Sequence, residues 1–394
     1  MDSRPALSEH PVVVVGVLAT ALASGAYEIV PASTTPVLAD QLGATPAAVN
    51  WLVSVMLGVA VVASLPAGAV VDRFGAPRSF ALATAFFLVG GVASWQFARQ
   101  GAYWPVLWAR VVAGLGFVLF WNTGLTVFGQ FRNAATATGL YTASGPIGFA
   151  VGHLTGPTLV AEFGTASVFL AYPLLLVPAL AAILLRWDDA LAGGGTGEVP
   201  ALRGVLAVAR NRAVLLVCAL GFVSYSLYLF VNSWVPTYLT TELSLSLAQS
   251  GALTATFPLL GAAARASGGV VTDRLFGGRA RPVVLASLVV SGITLVGIAA
   301  SSTYLVVAAF LLVGGYFVQL SLGLFFSVVP RTVDDDSVTT AVALLTSVGL
   351  FGAFSAPLVA GELIQATGSY AAAFGYALAL TVAGFVLAAP YFHD

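Results

Sequence analysis

The sequence predicts an all-α integral membrane protein, with twelve transmembrane helices in two pseudo-symmetric six-helix bundles. Three observations carry that expectation. The chain has 394 residues, of which 59% are hydrophobic and only 8% charged, whereas soluble domains carry about 25% charged residues. It cannot coat a water-facing surface of ordinary size, so lipid must be its main solvent. One phrase is also written twice: Gly68-Ala-Val-Val-Asp72-Arg73-Phe-Gly75 recurs as Gly269-Val-Val-Thr-Asp273-Arg274-Leu-Phe-Gly277, 201 positions later. Pro36 and Pro236, Gly114 and Gly314, Gly152 and Gly352, Pro157 and Pro357, and Glu162 and Glu362 repeat at an offset of 200. Finally, apolar runs long enough to span a bilayer, about 20 residues each, fall as six, a break, then six. Duplicated halves in an apolar chain point to a secondary transporter with a site between two bundles that rock.

Taken in order, the runs cover 11–37, 49–71, 79–98, 103–128, 138–161, 166–186, 212–238, 248–271, 282–301, 303–329, 338–361 and 370–392. They divide the chain into an amino-terminal bundle (1–186), a cytoplasmic connector (187–211) and a carboxy-terminal bundle (212–394). The connector holds Asp188, Asp189, three consecutive Gly and several Arg, with room for a short amphipathic helix around Leu202 to Arg210. The first run is too long for a signal-peptide core and is expected to stay as a retained helix. With both termini inside, twelve of the fifteen Arg lie in or beside cytoplasmic segments and only Arg99 lies outside. Arg110 and Arg265 fall within spans. This positive-inside bias places both termini in the cytoplasm of a multi-pass cell-membrane protein. Trp104, Trp187 and Tyr370, near span ends, fit the interfacial aromatic belt.

Composition excludes several classes. The net charge of −1 argues against a nucleic-acid partner. A lone Cys218 excludes an intramolecular disulfide, and His10, His153 and His393 are too scattered for a metal cluster. There is no Lys and no nucleotide-binding Gly-x-x-x-x-Gly-Lys-Ser/Thr loop, and no His-Glu-x-x-His or Gly-x-Ser-x-Gly constellation. The expectation is a transporter rather than an enzyme, without cofactor or metal, functional as a monomer, whose partners are a small solute, protons and lipid. A membrane sensor on a transporter frame is the reading of another class.

In the repeated phrase, Gly68 and Gly269 are expected to let neighbouring helices approach closely. Asp72 and Asp273 sit at helix ends, and Gly75 and Gly277 permit tight turns. These loops resemble the signature loop of the major facilitator superfamily, a resemblance that extends over nearly the whole chain. It implies a cytoplasmic latch formed by Gly68, Asp72, Arg73, Gly269, Asp273 and Arg274, holding the bundles together when the cavity faces outward. Arg110-x-x-x-Gly114-x-Gly116 is similar to the family's fourth-helix motif, whose Arg is associated with proton coupling or interhelical hydrogen bonding. Its counterpart in the second half is Phe310. Gly152-His-Leu-Thr-Gly156-Pro157 resembles part of the fifth-helix motif of drug antiporters, but close packing with a Pro kink is the favoured reading.

Ionisable groups at membrane depth are costly and usually functional. Arg265 lies eight residues before Asp273, about 12 Å of helix rise from the cytoplasmic end, near the midplane where substrate sites sit. Its surroundings, Pro258-Leu-Leu-Gly261-Ala-Ala-Ala-Arg265, resemble the eighth helix of nitrate and nitrite porters, which implies an anion-binding Arg. Those porters have a second Arg where this chain has Ser64, which leaves a small monoanion such as a carboxylate open. A structural ion pair is the plain alternative for Arg265. Glu28 can take up and release a proton, or pair with Arg110 to fix the first helix to the fourth. His153 can relay protons, although packing explains it more simply. Asn122, Asn232, Gln319, Tyr228 and Tyr316 complete an expected cavity lining, some of them as interhelical hydrogen-bonding groups. The function read from these residues is alternating-access transport of a small anion with proton coupling, by symport or antiport. Proton-coupled efflux of lipophilic compounds is the competing reading.

Overall fold

The computed structural model describes residues 4–192 and 206–391. Among them the structure is helical and contains no strand. The chain divides into two compact units, Met1–Val199 and Pro200–Asp394. The middle of the expected connector, 193–205, lies outside the described residues, and with it the start of the short amphipathic helix expected around Leu202 to Arg210; residues 206–208 are helical.

Unit 1 contains α1 (Pro11–Ser33), α2 (Thr35–Leu42), α3 (Pro46–Phe74), α4 (Ala76–Arg99), α5 (Tyr103–Gly129), α6 (Ala134–Phe163) and α7 (Ala171–Leu185). Unit 2 contains α8 (Arg212–Thr241), α9 (Leu247–Phe276), α10 (Ala280–Ala300), α11 (Tyr304–Val328), α12 (Val338–Thr367) and α13 (Tyr370–Tyr391). Among the described residues, ten helical segments are long and apolar enough to cross a membrane. The other two long helices, α6 and α9, are 30 residues each, and Gly, Ala and Thr dilute their apolar character.

Local chemistry explains the boundaries. Thr45 caps α3 by accepting from the Ala48 amide, with Pro46 at the first helical position. Asn211 caps α8 in the same way, and Ser246 and Gln249 form a capping box at α9. Gly75 ends α3 at φ 75° and Gly277 ends α9 at φ 61°, as the two copies of the repeated phrase predict. The first apolar run is not one helix, because it breaks at Thr34 between α1 and α2. Pro36 lacks the amide that would bond the Ala32 carbonyl, and the Thr35 hydroxyl donates to that carbonyl instead at 3.1 Å. The sixth run begins with a 3-10 segment, Thr165–Phe169, before α7.

The duplication is visible in the pairings inside each unit. In unit 1, α1 packs on α6, α3 on α5, and α4 on α5. In unit 2 the corresponding helices repeat the pattern, with α8 on α12, α9 on α11, and α10 on α11. Glycine makes the closest of these contacts. A Cβ on Gly152 would stand 2.7 Å from the Ala26 carbonyl oxygen, and one on Gly148 would stand 2.6 Å from that of Leu22. The fifth-helix motif is therefore a packing seam between α6 and α1. Gly152→Val should destabilise the protein by about 1–3 kcal/mol through overpacking, read as a lower thermal unfolding midpoint in detergent. An unchanged midpoint would contradict this role.

Candidate substrate and coupling sites

Unit 1 is organised around Arg110 on α5. Its side chain is fully buried. Nε donates to the Leu52 carbonyl on α3. Nη1 donates to the Tyr27 carbonyl at 3.1 Å and Nη2 to the Glu28 carbonyl at 2.8 Å, both on α1. The guanidinium also lies 4.5 Å from the centre of the Tyr27 ring, a cation–π distance. The sequence explains why a helix carbonyl is open here: Pro31 stands four residues after Tyr27 and has no N–H, so the carbonyl of Tyr27 loses its helical donor. Arg110 supplies the replacement and fastens α5 to α1 and α3. The expected Glu28–Arg110 ion pair is not formed among the described residues. Arg110 holds the main chain of Glu28, not its carboxylate.

Glu28 is 1% exposed, and its Oε1 has no hydrogen-bond partner among the described residues. His153, on α6, is also fully buried. Asn122 donates to the Ser64 carbonyl at 3.3 Å and the Val118 carbonyl at 3.2 Å, tying α5 to α3. That accounts for Asn122 as an interhelical bond.

Unit 2 carries its charge differently. Arg265, on α9, is partly buried. Its Nε donates to Gln319 Oε1 on α11 at 2.6 Å, and its guanidinium stands 5.3 Å from the centre of the Tyr228 ring on α8. The side chain is thus directed toward α8 and α11. No carboxylate pairs with it among the described residues, and neither Nη has a hydrogen-bond partner there. A structural ion pair is therefore not what holds it. Tyr228 in turn stacks on Phe257, with centroids 6.2 Å apart. Tyr316 is committed to Ser267 by a 2.8 Å hydroxyl–hydroxyl bond, and Asn232 donates to the Tyr228 carbonyl at 2.8 Å. Phe310, which replaces Arg110 in this half, packs against Gly297 of α10.

The repeated loops present Asp72, Arg73, Asp273 and Arg274 exposed at the ends of α3 and α9. Arg73 lies 5.5 Å from the ring centre of Phe74. Close packing inside each unit does not explain Gly68 or Gly269, since no neighbour in the unit lies within 4 Å of a Cβ built there. Glu162 and Glu362 are exposed.

Sequence reasoning missed Tyr27, Pro31 and Leu52 as parts of the Arg110 site. The Tyr27–Pro31 spacing was a usable signal, because a proline always orphans the carbonyl four residues before it within a helix.

A family model described as Major Facilitator Superfamily matches residues 16–279 and 221–394. The chain is 26% identical to the 3-(3-hydroxy-phenyl)propionate transporter of Escherichia coli over 361 residues, 85% of this chain and 82% of that protein. It is 25% identical to the nitrite extrusion protein of Bacillus subtilis over 330 residues, 82% of this chain and 80% of that protein. It is 26% identical to the probable nitrate/nitrite transporter of Mycobacterium tuberculosis over 341 residues, 82% of this chain and 81% of that protein.

Proposed function

Because the chain belongs to the major facilitator superfamily and is a multi-pass membrane transporter, we propose that its solute is a small monoanion and that Arg265 is the group that binds it. The observation that carries this reading is a guanidinium directed toward α8 and α11, with both Nη atoms open and no carboxylate paired with it among the described residues. A cation in such surroundings is costly unless an anion completes it. The similar proteins add support, since their names state solutes that are anions: nitrite, nitrate and a phenylpropionate. The nitrate and nitrite porters that the eighth helix resembles carry a second Arg where this chain has Ser64, and the lack of that second Arg suits a monoanion over a dianion. Tyr228, beneath the guanidinium, is the aromatic wall of this site. Asn232 and Tyr316 have hydrogen-bond partners of their own in unit 2 and are assigned to its frame, whereas Asn122 belongs to the frame of unit 1.

Counterflow in proteoliposomes tests the solute class. Labelled nitrate, nitrite or 3-phenylpropionate should exchange against unlabelled anion, whereas cationic lipophilic dyes should not drive exchange. Dye exchange without anion exchange would replace this reading with lipophilic efflux.

Proton coupling is assigned to Glu28, whose buried carboxyl has an open oxygen, with His153 as a relay candidate on α6. Glu28→Gln is nearly isosteric and keeps the main-chain carbonyl that Arg110 uses. It should leave anion counterflow within about twofold while removing most of the acceleration of uptake by a pH gradient, roughly tenfold or more. Unchanged gradient-driven uptake would remove Glu28 from the coupling path. Asp72 and Asp273 are proposed as latch residues, and both termini as cytoplasmic.

A further inference from the structure

We infer that Gln319 is itself an anion ligand, and that it selects planar oxyanions over single-centre ones. This rests on the reading of Arg265 as the anion site. The carboxamide of Gln319 is fully buried. Its oxygen is occupied by Arg265 Nε at 2.6 Å. That bond fixes which end of the amide is which, because Nε can only donate and only Oε1 can accept. The other end, Nε2, therefore presents donors, and it has no hydrogen-bond partner among the described residues. A buried amide left unsatisfied is rare and costly, and calls for a specific explanation.

The carboxamide is also given its place by the backbone. It lies against Gly261, one helical turn before Arg265, and a Cβ on Gly261 would overlap Nε2 and the amide carbon. Gly261 leaves the space that lets Gln319 reach Arg265. The Nε2 amide and the two Nη groups of Arg265, none of them partnered among the described residues, are thus unused donors on two side chains that are bonded to each other. A planar oxyanion with at least two oxygens, such as nitrate, nitrite or a carboxylate, can accept from both residues at once. A halide accepts at a single centre, so it can use both donor sets only where they converge on one point. Gln319 also carries no charge, so the site stays at a single positive charge, whereas Glu in its place would cancel it.

The test uses the full-length protein in detergent and in proteoliposomes. Nitrate and 3-phenylpropionate are the probes, and bromide is the single-centre competitor. Gln319→Leu should weaken nitrate and 3-phenylpropionate about tenfold, the usual cost of losing a hydrogen bond to a charged group, while bromide competition changes less than twofold. Gln319→Glu should abolish binding of every anion by pairing with Arg265. Gly261→Ala should mimic Gln319→Leu by displacing the carboxamide. A unimodal size-exclusion profile and an unfolding midpoint near that of the unmutated protein establish that each variant is folded. If Arg265→Gln abolishes anion binding but Gln319→Leu keeps nitrate within twofold, Gln319 is not a ligand and this inference falls alone. If Gln319→Leu weakens bromide as much as nitrate, Gln319 acts only by positioning Arg265 and the selectivity claim is overturned. If Arg265→Gln binds anions normally, the anion site itself is elsewhere.

Discussion

Arg110→Gln is expected to cost the protein most of its thermal stability and much of its folded yield. Three interhelical bonds from one buried cation are lost, and the Tyr27 carbonyl, already deprived of its helical donor by Pro31, is left open. Bonds to charged groups contribute about 1.5–3 kcal/mol each, and an orphaned buried carbonyl costs about 1–3 kcal/mol. Part of this is recovered when α1 relaxes, so a net loss of about 3–5 kcal/mol is the working figure. The mechanism has a second signature. Pro31→Ala returns an N–H that can bond the Tyr27 carbonyl, so the double variant Pro31→Ala/Arg110→Gln should lose less stability than the two single changes summed. A coupling of about 1 kcal/mol or more is expected for groups sharing one acceptor. If Arg110→Gln folds normally and loses only pH-gradient-driven uptake, Arg110 belongs to proton transfer instead of the frame.

This bears on how the two halves diverged. Arg110 in unit 1 and Phe310 in unit 2 occupy matching places, yet the first bonds three carbonyls and the second fills the space over Gly297. Arg265 in unit 2 and Ser64 in unit 1 show the reverse. Each unit thus keeps a single intramembrane Arg, on different helices. In unit 1 the charge is consumed by the main chain. In unit 2 only Nε is committed, and the rest of the guanidinium is available.

Much of this was legible in the sequence. The repeated phrase announced matching halves, and the helix pairings inside the units repeat accordingly. Its glycines announced the helix ends at Gly75 and Gly277, because positive φ is cheap only there. Gly152 announced a seam, since only a missing Cβ allows a carbonyl to come so close. What the sequence did not disclose depends on contacts between distant helices. The Arg265–Gln319 bond joins residues 54 apart, and no local pattern marks it. The partners of Arg110 are main-chain groups, which every residue carries, so side-chain identity could not single them out. The expected Glu28–Arg110 pair failed for that reason: charge complementarity pointed to the carboxylate, whereas the open carbonyl beside Pro31 was the better-placed acceptor.

The other large effect concerns Arg265. Its charge stands over the Tyr228 ring, and truncating a partly desolvated cation that meets an anion costs about 2–5 kcal/mol. Arg265→Gln should therefore lower kcat/KM for anion uptake by at least about 30-fold. Arg265→Lys should recover part of it, since the charge returns without the Nε bond that orients Gln319. Folding should be little affected, because one hydrogen bond is lost and no ion pair is broken.

The decisive measurement is nitrate and 3-phenylpropionate counterflow by Arg265→Gln in proteoliposomes, beside the unmutated protein at equal reconstituted amounts. Exchange reduced to the level of protein-free vesicles is the expected result. Exchange within twofold of the unmutated protein would show that the anion binds without this guanidinium.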